Sequence, residues 1–199
     1  MDELDLLDWK RRIAELYAEV RAADTPTAGW DRWCSARREL FASHPQSPVP
    51  ADERSAYDGP SVYDYDPAWR RVADVEPADP RRFRLPASDG GWMSFTRFAL
   101  ARAGDDVELE LYWLEGYGGG LFVPFADATS GDETYGAGRY VLDTVKGADL
   151  GLEDGRLVLD FNFAYQPSCS YDPRWSCPLT PPANRLEVPV RAGERLSPA

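Results

Sequence analysis

The chain has 199 residues, 43% of them hydrophobic and 28% charged, which suits one soluble domain with a sizeable core and excludes a disordered chain. Its formal net charge of −12 repels phosphate backbones and anionic lipid, so nucleic-acid and membrane partners are disfavoured. No apolar run approaches the roughly 20 residues of a membrane span, and the acidic start MDELDLLDWK is no secretory signal, so the expected compartment is the cytoplasm.

Residues 3–22 read as a helix. Trp9, Ile13, Leu16, Tyr17 and Val20 fall on one stripe at helical spacing, and acids precede bases as the helix dipole favours. Thr25 and Pro26 then open a second helix, the first as cap and the second in the opening turn. That helix carries Trp30, Trp33, Cys34, Leu40 and Phe41 inward and stops near His44, because the residue before Pro45 avoids helical backbone. Residues 45–67, rich in Pro, Asp, Tyr and Ser, read as a long ordered loop.

From residue 68 the pattern becomes that of strands. Candidates are 68–75, 82–87, 92–100, 107–114, 121–126, 139–145, 156–163 and 185–191, separated by Gly-, Asp- and Ser-rich turns. In the fourth, Val107, Leu109, Leu111 and Trp113 alternate onto one face. The expected fold is mainly β: an antiparallel meander curled into a barrel or a two-layer sandwich, with two N-terminal helices. The expected organisation is a helical segment, 1–44, packed on an antiparallel β domain with long Pro-rich loops, 45–199, as a single structural unit.

The chemistry-bearing residues are few. The glycine run 116–120 lacks the Lys-Ser/Thr of a phosphate loop and reads as a hairpin connection. Segment 127–133 has acids but not the spacing of a calcium loop, and reads as a side-chain-stabilised turn. Cys169 and Cys177 have seven residues between them, which excludes a CxxC redox pair. With only Cys34 and His44 as further soft donors, no metal site is expected, nor any cofactor. In a reducing compartment the three cysteines argue against an obligatory disulfide framework, although a reversible bond across the loop is chemically open. Any His-based nucleophile system must use His44, the only histidine. In the segment DFNFAY, Asp160 and Asn162 alternate with Phe161 and Phe163, so the polar pair faces away from the phenylalanines along a strand. Lysine occurs only at positions 10 and 146; the arginine excess fits a GC-rich genome and also suits bidentate contacts to anions.

Three segments, PFADATSGDETYGAGRY (124–140), LDFNFAYQPSCSYDPRWSCPLTPPANRL (159–186) and AGE (192–194), together with HPQSP (44–48), resemble a prokaryotic family catalogued as domain of unknown function 1684. The resemblance implies recurrent positions, among them Asp127, Tyr135, Arg139, Tyr140, Asp160, Asn162, Tyr165, Cys169, Cys177, Asn184 and Glu194, without implying an activity. Phe163 and Gln166 depart from the family's pattern.

Two readings follow. In the first, a barrel pocket holds a small polar or anionic molecule between Arg139, Tyr140, Asp160, Asn162, Tyr165, Cys169 and Cys177, with the 44–48 segment closing it. Its catalytic candidates are Asp160, Asp127, Cys169 and His44, with Cys169 the thiol nucleophile. In the second, the polar motifs only stabilise the fold of a structural or protein-interaction domain.

Overall fold

The structure is a computed structural model that describes residues 2–197. Helix α1 spans Asp2–Ala22 and buries Ile13, Leu16 and Tyr17. Helix α2 spans Pro26–Ser43; the Thr25 hydroxyl accepts from Ala28 N, and Leu40 and Phe41 are buried with Trp33. Both helices thus start, stop and face where their stripe and caps place them. A bond from Trp33 Nε1 to the Tyr17 hydroxyl, 3.2 Å, ties one to the other. No helix among the described residues is long and apolar enough to cross a membrane.

Seven strands follow: β1 (Arg70–Pro86), β2 (Trp92–Arg102), β3 (Glu108–Leu114), β4 (Leu121–Phe125), β5 (Arg139–Asp143), β6 (Leu152–Glu153) and β7 (Arg156–Asp160). They form one antiparallel sheet in the order β5-β4-β3-β2-β1-β7-β6. The sheet curls into a half-barrel. Its curl brings the chain just after β7 back to β5, where Tyr140 and Tyr165 exchange both backbone hydrogen bonds at 2.9 and 3.0 Å. The concave side is filled, with Phe95, Phe122, Phe125, Phe161, Leu109 and Leu142 all buried. The helices close it, and the rings of Trp33 and Phe163 meet at 5.6 Å.

Four local expectations are corrected. The strands read at 68–75 and 82–87 are one strand, β1. Pro77 and Pro80 cannot donate to a ladder, and β1 passes them through a register shift between Pro77 and Arg81. In β3, Trp113 is 47% exposed and Tyr112 is buried instead. A shift between Arg97 and Ala99 in the neighbouring strand re-aims the pairing and sets Tyr112 against Phe83 and Phe95. Segment 160–165 is not a strand. Asp160 accepts from Asn162 N and caps a 3-10 turn, Phe161–Phe163, so polar and apolar side chains alike are buried. Segment 185–191 makes one parallel bridge, Arg185 to Ala126, and no strand. Its backbone is held by side chains, as described below.

Gly193 adopts φ +75°, and a Cβ there would lie 2.4 Å from Ala164 O and 2.7 Å from Phe161 O. Both the left-handed backbone and the close approach demand glycine. Gly193→Ala is expected to cost about 2–4 kcal/mol in urea unfolding, whereas Gly90→Ala, at φ +83° with open space, costs about 1 kcal/mol. Equal losses at the two sites would show that backing by Ala164 and Phe161 is not the constraint.

Candidate functional site

Two buried arginines organise the C-terminal segment. Arg139 is fully buried on β5. Its Nη1 donates to Ala192 O at 2.5 Å and Glu194 O at 3.0 Å, and its Nη2 to Val190 O at 2.8 Å and Asp127 Oδ1 at 3.5 Å. Burial pulls its pKa below the ordinary arginine value against the pull of Asp127. The Asp127 carboxylate in turn accepts from Val190 N at 2.6 Å and from the Thr129 and Ser130 hydroxyls. Arg139 and Asp127 therefore read the backbone of the chain's end, and of the Arg139 guanidinium only Nε has no hydrogen-bond partner among the described residues.

Arg37 of α2 is the second. It donates from Nε and Nη2 to Glu194 Oε1 at 2.8 and 2.5 Å. Glu194 Oε2 accepts from Gln166 N at 2.8 Å and from the Tyr171 hydroxyl at 3.1 Å. The guanidinium carbon of Arg37 lies 4.9, 4.6 and 5.1 Å from the rings of Trp33, Phe41 and Tyr165. One buried ion pair thus joins the helices, the turn after β7, the cysteine loop and the chain's end.

Two asparagines act as substitutes for a strand. Asn162 donates to Asp66 O and accepts from Asp66 N, both at 2.9 Å. Asn184 does the same with Glu110, at 3.0 and 2.9 Å, and also donates to Pro124 O at 2.7 Å. Each side-chain amide satisfies one residue's N–H and C=O as a neighbouring strand would. Asp160 accepts from Asn162 N and Nδ2 at 3.0 and 2.8 Å, and burial raises its pKa. It lines a cavity of about 460 Å³ with Arg21, Arg70 and Glu153. Those charges answer one another: Arg70 meets Glu153 at 2.5 Å, and Arg21 donates to Asp149 O. Size alone therefore does not recommend that cavity.

His44 is buried. Its Nδ1 accepts from Gln46 N at 3.0 Å, so Nε2 carries the proton toward Asp8 Oδ2 at 3.2 Å. No hydrogen bond or ion pair among the described residues joins it to a cysteine. Tyr140 donates to Pro178 O, and Tyr165 donates to Asp143 Oδ2 at 3.3 Å. Of the residues expected to share one pocket, the fold gathers Tyr140, Tyr165, Cys169 and Cys177 on one side. It leaves Arg139 in one separate network and the bonded pair Asp160 and Asn162 in another. Among the described residues no group of three His, Cys, Asp or Glu side chains is placed to hold a metal ion.

The gathered side borders a cleft of about 170 Å³ between α1 and the 168–177 loop. Its walls are Leu6, Trp9, Lys10, Gln46, Lys146, Ser168, Trp175, Ser176 and Cys177. A smaller chamber of about 50 Å³, reaching Arg37, Tyr165 and Gln166, shares Trp9, Lys146 and Ser168 with it. Both lysines of the chain stand here. Lys146 Nζ lies 6.0 Å from the Tyr140 ring centre and 3.9 Å from Asp143 Oδ2. Lys10 has no ion-pair partner among the described residues. Trp175 Nε1 is buried in the wall without an acceptor. Sequence reasoning missed Trp9, Lys10 and Lys146, whereas Gln46 and Trp175 lie in the 44–48 segment and the 169–177 loop that it places at the pocket. The scarcity of lysine was the available signal, since it marks two positions in an otherwise arginine-only set of cations.

Comparison with known proteins adds a family and a related fold. The model of a family described as "Protein of unknown function (DUF1684)" matches residues 55–195. The solution NMR structure of an uncharacterized protein from gene locus rrnAC0354 of Haloarcula marismortui is 36% identical to the chain. The match covers 87% of this chain and 98% of that one, with a TM-score of 0.59. No curated protein matches.

Removing one partner of a buried ion pair strands the other charge. Glu194→Ala is expected to cost about 3–5 kcal/mol in urea unfolding. A double-mutant cycle with Arg37→Met should give a coupling of about 2 kcal/mol or more. Additive losses would mean that the two side chains act independently.

Proposed function

The chain belongs to the DUF1684 family of proteins of unknown function, and on that footing we propose that it binds a small organic anion with a flat apolar part in the cleft between α1 and the 168–177 loop. The observation that carries the reading is the convergence of the chain's only two lysines on one cleft of a protein with net charge −12. An acidic surface repels anions at long range, so two cations and the unpartnered Trp175 indole N–H at one place make a local exception. The indoles of Trp9 and Trp175 supply the apolar walls, and Gln46, Ser168 and Ser176 supply the few polar groups that fix orientation.

The second reading from sequence, in which polar motifs stabilise the fold, has its own support. Asp127, Arg139, Asn162 and Asn184 direct their hydrogen bonds at backbone or at side chains of the frame, such as Thr129 and Asp160. It accounts for those residues; it does not account for Lys10 or for Trp175 Nε1, which do no such work.

Titration with indole-3-acetate, followed through the side-chain N–H signals of the tryptophans by NMR, tests the proposal. Trp9 and Trp175 are expected to shift and saturate. The variant Lys10→Ala/Lys146→Ala should weaken the interaction by about tenfold or more, corresponding to roughly 1.4 kcal/mol. Tryptophol, the neutral analogue, should bind far less. Equal shifts with tryptophol, or an unchanged affinity in the double variant, would refute the anion site.

A further inference from the structure

The chamber of about 50 Å³ that shares Trp9, Lys146 and Ser168 with the lysine cleft is built differently from it. Ile13, Phe41, Pro48 and Ala148 make much of its wall apolar, and Arg37 and Gln166 bring polar groups to it. Gln166 is 6% exposed. Its backbone N donates to Glu194 Oε2 at 2.8 Å and its side-chain Nε2 to Arg195 O at 3.2 Å. Only a nitrogen can donate to that carbonyl, so the bond fixes which way round the amide sits. The remaining atom, Oε1, is buried with no hydrogen-bond partner among the described residues. Arg37 spends Nε and Nη2 on Glu194 Oε1, and no hydrogen bond among the described residues takes its Nη1. The chamber thus has an acceptor and a donor to fill, in a protein whose other buried polar groups are mostly paired.

Size and chemistry together select the group that fits. A cavity of about 150 Å³ holds a benzene ring. The outer cleft, about 170 Å³, therefore has room for a ring and the chamber only for a small substituent. A carboxylate has no proton to give Gln166 Oε1 and would meet the Glu194 carboxylate beside Arg37. An ammonium has no lone pair for Arg37 and would meet two cations, Arg37 and Lys146, in the walls. A hydroxyl donates once and accepts twice, so it serves Gln166 Oε1 and Arg37 Nη1 together.

We infer that the ligand of this protein is a hydroxyaryl acid whose hydroxyl, remote from its carboxylate, enters the chamber, donates to Gln166 Oε1 and accepts from Arg37 Nη1. The inference rests on the reading of the lysine cleft as an anion site. The carboxylate stays in the cleft with Lys10 and Lys146, the ring lies against Trp9, which borders both spaces, and the hydroxyl points inward. Gln166 is then the specificity-determining residue. A ligand without the hydroxyl leaves a buried acceptor unpaired, and that penalty is what separates the two classes.

The test compares close analogues on the full-length protein. Indole-3-acetate, its 4-, 5-, 6- and 7-hydroxy derivatives and the matching methoxy compounds are titrated against the tryptophan side-chain N–H signals. At least one hydroxy compound is expected to bind about tenfold more tightly than indole-3-acetate. Its methoxy counterpart, larger and able to accept but not donate, should show no such gain. In Gln166→Met the affinity ratio of that hydroxy compound to indole-3-acetate should fall to about one. The ratio reads the hydroxyl alone, which a general loosening of the fold would not single out. Should the variant not fold, the wild-type contrast of hydroxy with methoxy decides by itself. Saturable binding of indole-3-acetate with no gain from any hydroxyl position would overturn the chamber assignment and leave the anion site standing. Equal gains from hydroxy and methoxy compounds, or a preference that survives in Gln166→Met, would overturn it as well. If none of the acids binds saturably, the cleft reading and this inference fall together.

Discussion

The second helix, the turn after β7, the cysteine loop and the chain's end converge on the ion pair of Arg37 and Glu194. A buried carboxylate is tolerated only if its oxygens are filled, and Glu194 takes four hydrogen bonds from three different segments. Its backbone is engaged as well, by Ala164 O and by Arg139 Nη1. The net stability of such a pair is small, because desolvation cancels much of the attraction. Its effect is positional. The helices, the turn after β7, the cysteine loop and the last residues must all reach correct places together before either charge is satisfied.

The same logic explains why the chain's end needs no strand. Segment 184–195 runs over the curled sheet, where a regular ladder would have to follow a changing direction. Asn184 instead supplies a peptide-like amide to Glu110, and Arg139 collects three carbonyls from alternate residues, Val190, Ala192 and Glu194. Polar residues that read as site-forming are thus part of the frame. They hold Tyr171, and through it the loop that carries Cys169 and Cys177 and one wall of the lysine cleft. The other wall, with Leu6, Trp9 and Lys10, comes from α1, outside the segment that the family model matches.

What was readable depended on range. The helix stripe of Ile13, Leu16 and Tyr17 and the Thr25 cap are local, and both hold. Turn glycines and alternating strands gave an antiparallel curled sheet for the same reason. The misreadings lie where local pattern meets a neighbour's geometry. Trp113 took the exposed face because a shift in β2 re-aimed its partner. DFNFAY alternates like a strand, yet Asp160 turns it. Arg139 read equally as part of an internal network or as an anion clamp, and its partners are the Asp127 carboxylate and carbonyl oxygens 51 to 55 residues further along the chain.

The sequence by itself determined the two helices, the antiparallel class, the family and the absence of a CxxC pair, since each depends on spacing within a few residues or on a long contiguous pattern. Only the tertiary structure decided which polar residues share a site. Lys10 and Lys146 are 136 positions apart, and nothing along the chain relates them until α1 lies across the turn after β5. Cys169 and Cys177 are excluded as a motif by spacing, and the loop between them is shaped by distant partners, Ser88 at Cys177 and Glu194 at Tyr171. Contact between distant residues is set by packing and by the need to satisfy buried charge, and neither is written in local order.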